Sequence, residues 1–216
     1  QGLSAQTPSP VEVGLPLGVP TAPTPPSVIS RDAEGQATIR AVRVDESLRI
    51  DGRLDEAFYG STASVSDFIQ GLPEEGAVPS ERTEAWVAFD ETNIFVSARI
   101  WDSASEDGWV ANEMRRDGGR IEANDHFGVF LDTFYDRRNS VGFVVNPLGG
   151  FSDLQVRNEA DANADWNPVA DIRTGRFEGG WTVEMAIPFR SLRYRADQNQ
   201  VWGIQMSRSV LRRNEW

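Results

Sequence analysis

Neither cysteine nor lysine occurs in the 216 residues, and His126 is the only histidine. Without cysteine there is no disulfide framework, zinc–thiolate site, haem attachment or thiol nucleophile. The absence of lysine removes Schiff-base chemistry and the P-loop ammonium, and leaves all 21 basic side chains as arginine, whose planar fork suits fixed pairing with carboxylates. No apolar run approaches the roughly 18 residues that a membrane-spanning helix needs. Positive charge is short as well. The net charge of -12 argues against nucleic acid and anionic lipid, and disfavours acidic partners in general.

Proline, in contrast, is unevenly spread. Seven of the 12 prolines fall before residue 27, where Glu12 is the only charged side chain. Such a stretch cannot build its own core. Residues 1–37 therefore read as an extended Pro-rich arm, and residues 38–216 as one domain of ordinary size. Ordering an arm of this kind costs about 1–2 kcal/mol per residue, so it needs a surface, either its own domain or a partner. Its apolar residues Val11, Val13, Leu15, Leu17 and Val19 are the candidate partner contacts. The small, polar opening "QGLSAQTPSP" suits a mature terminus left by signal-peptide removal, and the expected location is periplasmic, extracellular or outer-membrane-associated.

From residue 38 the pattern has a period of two. "TEAWVAF" places Ala85, Val87 and Phe89 on one face, and "NIFVSARIW" does the same for Ile94, Val96, Ala98 and Ile100, with "DETN" as the turn between. A second hairpin joins "HFGVFLDTF" to "SVGFVVN" through Asp136-Arg137-Arg138-Asn139. "FSDLQVR", "GWTVEMAI" and "VWGIQMSRSV" supply later strands. Short helical segments are expected only around Asp55–Tyr59, Glu106–Met114 and Phe189–Leu192. The expected fold is an all-β antiparallel sandwich or jelly roll with few short helices.

The chemistry can be tested by residue type. A catalytic triad would have to use His126, yet Asp125 precedes it directly, and strand neighbours point to opposite faces. Asp125, Asp132 and Asp136 fall at strand ends, where aspartate closes turns and pairs with arginine. No paired carboxylates stand out for glycoside hydrolysis, and the chain is read as having no enzymatic activity. Calcium binding through Asp125 and Asp132 is a weak candidate, since no D-x-D-x-D-G spacing occurs. Trp86, Trp181 and Trp202 lie within alternating strands and read as core. Trp109 and Trp166 lie in polar loops, where a large ring beside carboxylates and arginines stacks on a sugar face or anchors a partner.

Six stretches carry a family resemblance. "IDGRLDEAFY" (50–59), "RRD" (115–117), "DHFGVFLDTFYDRRN" (125–139), "FVVNPLGG" (143–150), "GWTVEMAIPFRSLRY" (180–194) and "WGIQMSRSVLRRNEW" (202–216) follow the order seen in the carbohydrate-binding module family 9 domain. More narrowly, residues 40–216 resemble the version found at the N-terminus of large bacterial outer-membrane proteins with a C-terminal domain of unknown function. The resemblance implies an exported β-sandwich without catalytic residues, in some relatives attached to xylan-degrading glycoside hydrolases. It also implies a terminal sugar clamped between two tryptophans, arginine and carboxylate hydrogen bonds to its hydroxyls, and structural calcium nearby. Trp166 stands where this branch carries an aromatic residue, whereas Ala170 replaces the second aromatic. Similar proteins continue past "RRNEW" into a strand-rich region that looks like a membrane barrel.

Two functional readings follow. In one, the sandwich is an accessory subunit whose arm docks on a larger, membrane-bound assembly. The alternative is a module that recognises sugar or polysaccharide ends through Trp109, Trp166, Arg115 and Asp125.

Overall fold

Alternation of apolar and polar side chains dictates strands. The computed structural model describes residues 19–46, 48–195 and 199–216. Its first strands are β1 (Ile29–Arg31), β2 (Ala37–Ile39), β3 (Val42–Arg43), β4 (Thr83–Phe89), β5 (Asn93–Trp101) and β6 (His126–Asp132). They are followed by β7 (Ser140–Val145), β8 (Phe151–Arg157), β9 (Asp161–Asn163), β10 (Asp171–Phe177), β11 (Gly180–Pro188) and β12 (Gly203–Ser209). One five-stranded sheet has the order β10-β11-β5-β4-β3, the other β12-β6-β7-β8-β9, and β1 pairs with β2 in a separate ribbon. All pairings are antiparallel except β3 with β4. The fold is the expected all-β sandwich. The arm boundary at 37/38 falls within the ribbon, whose first strand belongs to the arm and whose second starts at Ala37.

Helix is as scarce as expected but shorter. The α-helix α1 spans Ala57–Ser61, and 3₁₀ turns occupy Glu106–Gly108 and Phe189–Ser191, with two more at Ile121–Ala123 and Leu211–Arg213 outside the three expected places. The longer helical segment expected over Glu106–Met114 stops at Gly108, because Asn112 and Glu113 donate their amides to the Asn124 side chain instead of to a helical ladder.

The inner faces meet in one core. Val87 lies opposite Val96 and Ala85 opposite Ala98 in the first sheet, while Val129 lies opposite Phe143 in the second. These side chains are buried in one cluster with Trp181, Val183, Met185 and Ile187 of β11. Contrary to a simple one-face pattern, the outer face of the first sheet is covered too. Residues Val44, Leu48 and Tyr59 pack there against Trp86, Ala88, Phe95 and Ala186, with Ile50, Leu54 and Phe58 at the margin.

A buried carboxylate pins this covering segment. Glu184, fully buried on β11, accepts hydrogen bonds from the Gly52 amide at 2.8 Å, the Asp51 amide at 3.1 Å and the Tyr59 hydroxyl at 3.0 Å. The Tyr59 oxygen also lies 2.9 Å from Ser97 Oγ, and Thr182 Oγ1 donates to the Gly52 carbonyl at 2.6 Å. The approach leaves no room for a side chain on β10, since a Cβ at Gly175 would stand 1.9 Å from the Gly52 carbonyl oxygen. Replacing Gly175 by alanine is expected to lower stability by about 2–3 kcal/mol. The shift would appear in the denaturant midpoint.

Candidate functional site

Three segments converge near one end of the second sheet: residues 102–125 between β5 and β6, residues 146–150 between β7 and β8, and residues 164–170 between β9 and β10. Asparagines hold the first two together. Asn124 and Asn146 are both fully buried. Asn124 Oδ1 accepts from the Asn112 amide at 2.6 Å, and Asn146 Nδ2 donates to the Glu113 carbonyl at 2.6 Å. Gly150 permits the contact, because a Cβ there would lie 2.3 Å from that same carbonyl oxygen.

This bracing presents Arg116. Its Nε donates to Asp153 Oδ1 at 2.8 Å and its Nη2 to the Pro168 carbonyl at 2.9 Å, while the guanidinium lies 5.1 Å from the Phe151 ring centroid. Asp153 sits opposite Phe143 on the core-facing side of β8 and is only 1% exposed. Burial raises its pKa, although Arg116 acts in the opposite direction, and its Oδ2 is buried without a hydrogen-bond partner. The Arg116 side chain keeps a third of its surface open. Beside it, Trp166 meets Phe143 edge-on at 5.7 Å and is half-buried against the core. An arginine fork locked by a buried carboxylate, next to a supported indole, can offer hydroxyl-directed hydrogen bonds and an apolar face together.

The expected site residues take varied positions around this arrangement. Trp109 is half-buried, with the Arg176 guanidinium 5.1 Å from its ring centroid, and its Nε1 is buried without a partner. Arg115 adjoins Arg116 in sequence but its exposed side chain pairs with Glu113 at 3.2 Å, which holds the Glu113 carboxyl below its usual pKa. Asp125 is 4% exposed and uses both oxygens on backbone amides, Val110 at 2.8 Å and Leu211 at 2.7 Å. It thereby ties the Trp109 loop to the end of β12. Of the arm residues, Val11, Val13, Leu15 and Leu17 lie outside the described residues, and Val19 is half-buried.

The metal candidates do not form a centre. Asp132 engages the Phe134 and Arg137 amides, so each of its oxygens, like those of Asp125, already accepts a main-chain donor. The two also stand at opposite ends of β6, on the order of 20 Å apart at strand rise. Among the described residues no three carboxylate or imidazole side chains converge as ligands. A calcium site on Asp125 and Asp132 does not fit.

Asp136 likewise caps its turn through the Arg138 and Asn139 amides at 2.8 Å. Asp132 and Asp136 thus close their turns as expected of strand-end aspartates, whereas among the described residues neither they nor Asp125 form the expected pairs with arginine. His126 is half-buried, its Nδ1 2.8 Å from the Asn124 carbonyl, and burial lowers its pKa.

Sequence reading missed Arg116 and Asp153. A signal exists for the second, since Asp153 occupies the inward register of "FSDLQVR" between Phe151 and Gln155. A carboxylate at an inward strand position requires a partner.

Comparisons with known proteins bear on what this arrangement serves. The profile of the family described as carbohydrate family 9 binding domain-like matches residues 50–209, well over half of the chain. A carbohydrate-binding module family 9 from Caldicellulosiruptor kristjanssonii in complex with cellotriose superposes with a TM-score of 0.52 at 16% identity, covering 77% of this chain and 75% of that one. The same organism's module in complex with glucose gives 0.50 at 16% identity, covering 77% and 76%. A putative carbohydrate-binding protein from Bacteroides uniformis gives 0.54 at 10% identity, covering 78% and 81%. At these identities the structural likeness speaks for the fold. No curated protein matches. The profile match, which spans both sheets from the covering segment to β12, shows that the chain belongs to the carbohydrate family 9 binding domain-like family.

Proposed function

We propose that the chain is a non-catalytic carbohydrate-binding module whose sugar contacts centre on Arg116 and Trp166. The observation that carries this reading is the Arg116 guanidinium, fixed by buried Asp153 and Pro168 beside a core-supported indole, with part of its fork open. Membership of the family, and relatives whose structures hold cellotriose and glucose, support the sugar-binding alternative over the accessory-subunit reading. Preorganised arginine and aromatic side chains suit a ligand with both hydroxyls and apolar ring faces, since neither group loses much entropy on contact.

Arg115, exposed next to Arg116, and Trp109, in the same loop, are the next contacts in this proposal. Tryptophan fluorescence during titration with neutral mono- and oligosaccharides tests it. Trp166→Ala is expected to weaken the tightest of these ligands by at least about tenfold, which is about 1.4 kcal/mol. Val78→Ala, at a site 85% exposed elsewhere, is expected to leave affinity unchanged. Equal affinity of the Trp166 variant and the parent would refute this assignment of the site.

A further inference from the structure

The overall charge of -12 hides a local excess of cations. At the end of β6 opposite Arg116, the turn after Asp132 meets residues 193–195 and 200–203. Arg137 donates its amide to Asp132 Oδ2 at 2.6 Å, Asp132 faces Gly203 across the sheet, and Thr133 Oγ1 donates to the Arg193 carbonyl at 2.5 Å. Gln200 links the same place to Arg195 through that residue's carbonyl. Arg137, Arg193 and Arg195 are all exposed, as is Arg190 in the neighbouring 3₁₀ turn.

Among the described residues none of these four guanidinium groups has an ion-pair partner, whereas Arg138 beside them pairs with Glu159 at 3.8 Å. Asp132 and Asp136 direct their oxygens to main-chain amides and keep their charge, so among the described residues four guanidinium groups stand against two carboxylates at this end. Asp197 of the intervening segment lies outside the described residues. The other arginines without an ion pair among the described residues, Arg40, Arg53, Arg120 and Arg157, are spread over four separate segments.

An aromatic cluster is interleaved in sequence with three of these arginines. Tyr194 lies 5.7 Å from Trp202 and 5.8 Å from Phe189, and Phe189 lies 6.3 Å from Trp202. All three are half-buried against the core, and Tyr194 stands between Arg193 and Arg195 in "RYR". Phe134, 39% exposed, is the large apolar side chain that the turn presents. One partly exposed phenylalanine offers little area for membrane insertion. Planar guanidinium forks match carboxylates, and supported aromatic edges and faces match pyranose rings.

We propose that this end binds the carboxylates of an acidic polysaccharide, a polyuronate, as a second contact separate from the Arg116–Trp166 site. The inference rests on the reading of the chain as a carbohydrate-binding module. It reverses the expectation from net charge that acidic partners are disfavoured, an expectation that treats the charge as evenly spread.

Titration of the whole chain with polygalacturonate, with its fully methyl-esterified form and with neutral oligosaccharides tests it. Polygalacturonate is expected to bind at least about tenfold more tightly than the esterified form, and to lose at least about tenfold in affinity between roughly 50 and 500 mM salt. Arg137→Ala/Arg193→Ala/Arg195→Ala is expected to remove the difference between the two polymers while neutral oligosaccharides still bind. All three substitutions lie at exposed positions, and circular dichroism verifies that the variant is folded.

Neutral oligosaccharides binding through Trp166 while polygalacturonate does not bind would overturn this inference and leave the module reading standing. Arginine-dependent binding to phosphatidylglycerol vesicles without polygalacturonate binding would overturn it in favour of a membrane contact. Failure to bind any sugar would overturn both readings.

Discussion

Replacing Glu184 by alanine is expected to destabilise the chain by about 3–5 kcal/mol, as leaving three buried or part-buried donors without their acceptor does. The substitution strips acceptors from the Gly52 and Asp51 amides and from the Tyr59 hydroxyl at once. It also releases the carboxylate anchor that β11 gives to residues 51 and 52, leaving the Thr182 hydroxyl on the Gly52 carbonyl, so the apolar residues Leu48, Ile50 and Leu54 lose part of their fixed approach to Trp86 and Phe95. Chemical denaturation of Glu184→Ala against the parent measures the effect. A loss under about 1 kcal/mol would mean that packing and the Thr182 bond hold the covering segment without Glu184.

The same residue gives a pH dependence of defined sign. Burial, opposed by the Gly52, Tyr59 and Asp51 hydrogen bonds, raises the Glu184 pKa from 4.5 to about 7. Between those values the folded chain holds a proton that the unfolded chain has released, so stability falls as pH rises through this window, by up to about 3 kcal/mol. Glu81 and Glu113 have depressed pKa values and act the other way, but below the ordinary carboxylate value. Subtracting the profile of Glu184→Gln from that of the parent isolates the contribution. A difference that stays flat from about pH 5 to 8 would contradict it.

Arg208 carries the second large expected effect, about 3 kcal/mol or more on substitution by alanine. On β12, its Nη2 reaches Asp102 Oδ2 at 3.2 Å and its Nη1 reaches the Arg82 carbonyl at 3.2 Å. The pair is nearly dry, with the Arg208 side chain 9% and the Asp102 side chain 3% exposed. Arg212 joins the network at 2.8 Å from Asp102 and pairs with Glu81, whose carboxylate also accepts the Ser103 amide at 3.0 Å. These contacts fasten β12 of one sheet to the ends of β4 and β5 of the other. Arg208→Lys is expected to recover little, since one ammonium cannot span Asp102 and the Arg82 carbonyl with the planar geometry of the fork. A Tm for Arg208→Ala equal to that of the parent would rule out this strap as a stabilising element.

How much of this was legible in the sequence varies by scale. Strict alternation in "TEAWVAF", "NIFVSARIW" and "HFGVFLDTF" led directly to the β4–β5 and β6–β7 hairpins with their observed inward sets, because a strand's side-chain period is two whatever surrounds it. Double burial of the first sheet was less visible. Its outer face is covered by residues 44–46 and 48–59, which are too irregular in pattern to announce a cover. For the site, Trp166 was readable as an aromatic residue in a polar loop. Asp153 looked like any acidic residue until register placed it opposite Phe143, and Arg116 gained meaning only through Asp153, 37 residues away. Carboxylates are commonest at turns, so Asp125 and Asp132 attracted notice, yet main-chain amides use their oxygens. The cationic end was hidden for a related reason. Net charge sums over the whole chain, whereas recognition depends on which arginines the strand ends bring together.

The central claim, that the chain binds carbohydrate through the braced Arg116–Trp166 site, is tested most directly by isothermal titration calorimetry with a panel of neutral sugars from glucose to cello- and xylo-oligosaccharides. Saturable binding of at least one sugar at or below millimolar concentration is expected for the parent, with loss of that heat in both Arg116→Ala and Trp166→Ala variants that remain folded. No binding of any sugar by the parent, or binding that both variants retain in full, would contradict it.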